Sequence, residues 1–210
     1  MRTTRIVVIS CLFAVWLTFL GGTSRGITIT NTLISGNGPI GSPDPANNYS
    51  LNGGATFQPA IVSTPTGNYD VIPGTGWISV SMNGSGAAFT TTLYRTTFVL
   101  PAGFSSPSLQ INVFADNAAT VFLNGVQFGQ QPQIETFANF QNPASTFTTS
   151  NAVNFQVGVN LLDIKVLNFG EPSGLDYSAT LTFVPEPSTV MQCVVGLLGL
   201  GLVMRGKRTR

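Results

Sequence analysis

The chain has 210 residues, of which only 8% are charged, with a formal net charge of +1. It contains no histidine, which removes the usual zinc sites, the Ser-His-Asp triad and the Cys-His dyad together. Between Ile27 and Phe183 only Arg95 and Lys165 are basic, against Asp44, Asp70, Asp116, Glu135, Asp163, Glu171 and Asp176, so this mildly acidic body lacks the basic patch that nucleic-acid phosphates require.

Met1 to Gly26 reads as a secretory signal peptide. Arg2 and Arg5 form the positive n-region, Ile6 to Leu20 the apolar h-region, and small and polar residues follow, with cleavage expected after Ser24 or Gly26. The two cysteines, Cys11 and Cys193, fall in the apolar runs at either end, so the body from 27 to 183 has no thiol and no disulfide, and its stability must come from a core.

Ile27 to Ile34 alternates and is Thr-rich, which predicts a first strand. From Gly36 to Gly76 the chain is dense in Gly, Pro, Asn and Ser, with apolar islands at Phe57, Ile61-Val62 and Val71-Ile72 that predict short strands between turns. Trp77 to Met82 and Leu93 to Leu100 read as strands, and Ser108 to Phe114 places Leu109, Ile111 and Val113 on one face. Val121 to Leu123 and Val126 to Phe128 flank Asn124-Gly125, a pair suited to the two positive φ angles of a type I′ hairpin. Further strands are predicted over Asn151 to Val157, Leu161 to Leu167 and Tyr177 to Val184, with Leu162, Ile164 and Val166 directed into the core. No sustained helical period occurs in the body. Short strands at about ten-residue spacing predict an all-β antiparallel sandwich, and at this length a two-sheet jelly roll of about eight strands.

The chain closes on VPEPST, an apolar run from Val190 to Met204, and RGKRTR. As a helix the run would rise about 22 Å, short of the ~30 Å hydrocarbon core, which makes it a marginal transmembrane anchor. Arg205, Lys207, Arg208 and Arg210 form a basic stop that holds the C-terminus inside and leaves the body outside. The alternatives are an ordinary tail anchor or a buried core helix, though a core helix would show a polar face. The order resembles the PEP-CTERM sorting signal of exported bacterial proteins, with Pro185, Glu186 and Pro187 matching its tripeptide. That resemblance implies handling by an exosortase-type enzyme and delivery to the cell surface or extracellular matrix. The organisation expected is thus 1–26 signal helix, 27–183 ectodomain and 184–210 sorting signal.

YRTTF (Tyr94 to Phe98), ADNAATVFLNG (Ala115 to Gly125) and VGVNLLDIKVLN (Val157 to Asn168) resemble the galactose-binding-like jelly roll of carbohydrate-binding modules and of sugar-binding domains in some glycosidases. The resemblance implies a non-catalytic module that contacts extracellular polysaccharide. A purely structural or adhesive matrix protein is the alternative, and a glycan-active hydrolase a third reading.

Sugar recognition uses a flat aromatic face with carboxylate and amide groups, and Trp77, Asp116 and Asn117 supply those types. Each has a competing structural role: Trp77 as a core residue with its N–H satisfied, Asp116-Asn117 as turn chemistry. For glycoside hydrolysis two acids must flank one bond, and spacing brings no two together. Asp163 lies two residues from Lys165 on one strand face, which predicts that Lys as its partner. No cofactor is expected. A structural Ca²⁺ on loop oxygens is conceivable, but no acidic loop has ligand spacing.

Overall fold

The structure, a computed structural model, describes residues 27–64, 68–85, 89–134 and 136–186. The expected signal helix, the apolar run 190–204, Pro187, Glu135 and the basic residues Arg205, Lys207, Arg208 and Arg210 lie outside them. Among the described residues no helix is long and apolar enough to cross a membrane.

Eleven strands occur among the described residues: β1 (Ile29–Ile34), β2 (Pro43–Ser50), β3 (Gln58–Val62), β4 (Ile78–Ser79), β5 (Thr90–Leu100), β6 (Ser105–Asp116), β7 (Ala118–Leu123), β8 (Val126–Gln130), β9 (Ser145–Thr149), β10 (Gly158–Asn168) and β11 (Gly174–Val184). Their paired order is β8-β7-β10-β5-β2-β3-β4-β11-β6-β9, with β1 also on β11, all antiparallel. Side chains of β5, β7 and β10 meet those of β6 and β11 in one hydrophobic cluster, so the ladder turns back on itself as an all-β sandwich.

The alternation read from the sequence produces this core. Leu109, Ile111 and Val113 on β6 and Leu162, Ile164 and Val166 on β10 are all buried, as are Leu175, Tyr177, Ala179, Leu181 and Phe183 at every second position of β11. Each large aliphatic side chain so buried contributes about 1.5–3 kcal/mol. The β7–β8 hairpin has the anticipated turn, with Asn124 at φ 50° and Gly125 at φ 82°.

Five expectations need correction. The described residues form eleven strands rather than about eight, and one of the additions, β2, contains Pro43 and Pro45, which cannot donate to a ladder. The β2–β3 register shifts between Pro43 and Asn48, and the buried Asp44 carboxylate accepts the amides of Gly36 (2.8 Å), Asn37 (3.2 Å), Ala46 (2.8 Å) and Asn47 (3.0 Å) instead. Residues 151–157 form no strand but a short 3-10 turn at Ala152–Asn154, and the strand lies upstream as β9. There the side-chain amides of Asn124, Asn154 and Asn160 bind nearby backbone and side chains and displace the ladder. Val71-Ile72 forms no strand either, because the Ile72 amide donates to the Asp176 carboxylate (2.9 Å), and the strand expected at Trp77 to Met82 shortens to β4. Finally, Asp163 pairs not with Lys165 but with Arg95 on the neighbouring strand, through Nε at 2.7 Å and Nη2 at 2.8 Å. Arg95 and Asp163 are directly opposed in the β5–β10 register, whereas Lys165 lies over the Phe122 ring.

Register also sorts the loops. At one end of the sandwich Leu100 faces Gly158, Ile29 faces Phe183 and Val184 faces Ser105; at the other Thr90 faces Asn168, Asp116 faces Gly174 and Ile78 faces Leu175.

Candidate glycan-binding cleft

Three connections meet at the second of these ends: the β6–β7 turn at Asp116-Asn117, residues 136–140 after β8, and residues 169–173 between β10 and β11. With Tyr69 they line a cleft of about 340 Å³ bounded by Asp116, Asn117, Thr136, Phe137, Phe140, Gly170, Glu171 and Pro172. That volume suits one or two sugar rings by the usual dimensions of ligand sites.

Phe137 is the aromatic that the cleft offers to solvent, 69% exposed. It begins a 3-10 turn, Phe137–Asn139, whose preceding Thr136 accepts the Ala138 amide with its hydroxyl (3.3 Å). Phe140 packs edge-on to Phe137 at 5.4 Å between ring centroids and stacks on Tyr69 at 4.7 Å. Asn139, almost wholly buried, holds the turn to its neighbour: its amide donates to the carbonyls of Asn117 (2.6 Å) and Pro132 (2.9 Å).

The carboxylate and amide of the β6–β7 turn are themselves anchored. Tyr69 donates its hydroxyl to Asp116, and Asn117 Oδ1 accepts the Phe169 amide at 2.5 Å. Burial, and then the bond to Asp116, push the Tyr69 phenol above its ordinary range, so it remains a protonated donor. Glu171, exposed, also lines the cleft, so two acids line one hollow although their spacing in the chain gave no hint of it.

The residues singled out from sequence divide accordingly. Asp116 and Asn117 both line the cleft, at 4% and 6% exposure. Trp77 does not. It is 2% exposed, its Nε1–H donates to the Asp70 carbonyl (3.0 Å), and its ring meets Tyr69 edge-on, so it supports the cleft from beneath and offers no stacking face. Phe137 and Tyr69 escaped the sequence reading, because nothing local distinguishes a rim Phe in a polar loop from any other, and Glu171 was legible only as a loop acid to which spacing gives no partner. Of the sorting motif, Pro185 and Glu186 continue directly from β11, and the Glu186 amide donates to the Gly103 carbonyl (3.1 Å). Among the described residues no group of three or more His, Cys, Asp or Glu is placed to hold a metal ion. A larger, more apolar hollow of about 640 Å³ lies over the β5–β10 pair, with Lys165 as its charged lining residue.

The model of the β-galactosidase second all-β domain matches residues 66–190, more than half of the chain and all of the cleft. The chain belongs to that family. No curated protein matches it. Among solved structures, this β-galactosidase-type all-β domain is similar to the FMN-binding β-glucuronidase of Facaelibacterium prausnitzii L2-6 (19% identity, TM-score 0.39, covering 74% of this chain and 23% of that one). It is also similar to the β-glucuronidase of Ruminococcus gnavus (14%, 0.41, 76% and 29%). A family 35 carbohydrate binding module from Clostridium thermocellum is a third likeness (10%, 0.42, 71% and 97%). The chain thus spans about a quarter of the glucuronidase chains. At these identities and scores none of the three bears on what the cleft binds.

Proposed function

We propose that this protein is an exported, non-catalytic surface or matrix module of jelly-roll type that binds polysaccharide through the Asp116–Phe137–Glu171 cleft. The observation that carries the reading is the pairing of an exposed aromatic, Phe137, with the acid and amide groups of Glu171, Asp116 and Asn117 in a hollow of sugar-ring size. Rings of saccharides lay their C–H faces on aromatic side chains while their hydroxyls bond carboxylates and amides. The whole cleft lies within the part matched to a domain of β-galactosidase, an enzyme of sugar substrates, which adds to the reading. Export rests on the signal-like residues 1–26. Membrane attachment of the C-terminus, followed by processing by an exosortase-type enzyme at Pro185-Glu186-Pro187, rests on the order of motif, apolar run and basic stop.

Absence of catalysis is part of the proposal. Asp116 is nearly buried and engaged by the Tyr69 hydroxyl, which suits a fixed acceptor better than an acid that must exchange protons with substrate. Two acids in one cleft nevertheless define the rival: a hydrolase with Glu171 as the exposed partner.

Retention of the full-length, detergent-solubilised protein on a panel of immobilised polysaccharides tests this. At least one glycan should retain it, Phe137→Ala should reduce retention about tenfold, and no reducing ends should be released. Retention on no glycan would leave the structural or adhesive matrix role. Release of reducing ends that Glu171→Gln abolishes would establish the hydrolase.

A further inference from the structure

The end of the sandwich opposite the cleft is where both terminal segments leave: Ile27 precedes β1 and Glu186 follows β11. It gathers exposed aliphatic side chains among small polar ones such as Ser105, Asn151 and Gln156. Ile27 is 81% exposed, Val153 82%, Val99 64%, Val157 60% and Val159 54%, and Val99 and Val159 are directly opposed in the β5–β10 register. Among the described residues Glu186 is the one charge at this end, whereas the cleft end carries Asp70, Asp116, Glu171 and Asp176. Monomeric proteins seldom gather exposed aliphatic side chains without charges between them unless something covers the surface.

Chain length says what covers it. Only Pro187, Ser188 and Thr189 separate Glu186 from the apolar run that starts at Val190. Four extended residue steps span at most about 14 Å. The Glu186 amide is bound to the Gly103 carbonyl in the β5–β6 turn, so the tether begins on this end and not on the flank of the sandwich.

We infer that this valine-bearing end is a membrane-apposed face, seated on the lipid surface while residues 190–204 are inserted. The inference rests on the reading of 190–204 as a membrane segment. Exposed valines and a near absence of charge lose little hydration on entering the headgroup boundary, whereas at the other end the exposed Glu171 and half-buried Asp70 would lose much. A consequence follows for the cleft. It lies at the far end of strands as long as β10, whose eleven residues extend about 33 Å, and therefore opens away from the bilayer.

The test uses the full chain with Cys11 and Cys193 replaced by Ser, carrying a single fluorophore at Val153→Cys, Val157→Cys or Ala138→Cys, the last in the exposed turn of the cleft end. The proteins are reconstituted into phosphatidylethanolamine/phosphatidylglycerol vesicles containing headgroup spin-labelled lipid. Co-flotation with the vesicles, with quenching at 153 and 157 at least about threefold that at 138, is the expected result, since an interfacial face sits within ~10 Å of the headgroups. Co-flotation with equal quenching at the three sites means that the body lies on its side, and co-flotation without quenching at 153 or 157 means that it stands free or is covered by a second copy. Either overturns the inference and leaves the membrane segment standing. Failure to co-float removes the membrane segment itself, and the inference with it.

Discussion

The Tyr69 hydroxyl donates to the Asp116 carboxylate and so ties the loop before β4 to the β6–β7 turn, 47 residues further along the chain. The bond fixes an acid at the floor of the cleft. The same Tyr ring stacks on Phe140 and meets Trp77 edge-on, which sets the wall on which Phe137 rests.

Tyr69→Phe keeps both ring contacts and removes the donor. Leaving a nearly buried carboxylate short of a partner is expected to cost about 1–3 kcal/mol in urea denaturation, and affinity for whichever polysaccharide is retained should fall in parallel. A variant as stable as the parent within about 0.5 kcal/mol would show that the bond contributes nothing net.

Asp176 predicts a pH dependence of definite sign. Its buried carboxylate is pushed above the ordinary 3.8 by desolvation, an effect that bonds from Thr75 Oγ1 (2.5 Å), the Ile72 amide (2.9 Å) and Ser35 Oγ (3.1 Å) oppose only in part. The unfolded chain releases this proton near 3.8 and the folded protein only at higher pH, so between the two values the folded state binds more protons. The group's contribution is therefore full below 3.8, declines as pH rises through the folded pKa and is constant above it. Urea midpoints for wild type and Asp176→Asn, measured from about pH 3 to about pH 7, should give a difference (wild type minus variant) that falls as pH rises. A rising difference would contradict the assignment.

Gly36 and Gly53 form a matched pair for backbone substitution. A Cβ at Gly36, which has φ +70°, would lie 2.4 Å from the Gly76 backbone, at the crossing where the Gly76 amide bonds the Ser35 carbonyl (3.1 Å). At Gly53, with φ +69°, nothing stands within 4 Å. Gly36→Ala should lose about 3 kcal/mol or more, and Gly53→Ala only the roughly 1–2 kcal/mol of the left-handed conformation. Equal shifts in thermal midpoint would place the crossing wrongly.

Arg95→Lys separates the observed ion pair from the one the sequence suggested. It removes the two-point grip on Asp163 in a pair whose side chains are 28% and 13% exposed, so the expected loss is about 0.5–1 kcal/mol. Lys165→Ala forfeits a contact over Phe122 and should cost no more than about 0.5–1 kcal/mol. If a double-mutant cycle shows Asp163 coupled to Lys165 and not to Arg95, the register drawn here is incorrect.

Strands with strict alternation were legible because each residue's face depends only on its parity along the strand: β6 and β10 bury the side chains their sequences marked, β11 forms where a strand was expected, and Asn124-Gly125 makes the turn its backbone preferences require. β2 and residues 151–157 were not legible. In β2 the amides that proline-bearing sequence cannot place in a ladder go to one buried carboxylate, Asp44, whose role depends on Gly36 and Asn37 lying nearby. Around Asn151 an apolar-looking segment turned into a 3-10 turn because asparagine side chains from the β7–β8 turn, β10 and the turn itself supplied the bonds a strand would have needed.

The same division runs through the cleft and bounds what each level of description holds. Absence of histidine, the cysteine-free body and the all-β class depend on composition and local order, so they could be read along the chain. Burial of Trp77, exposure of Phe137, the bond from Tyr69 to Asp116 and the placing of Glu171 in the same cleft as Asp116 depend on which loops strand register gathers at one end. No short-range preference encodes that, because residues 69, 116, 137 and 171 become neighbours only when the strands between them have paired.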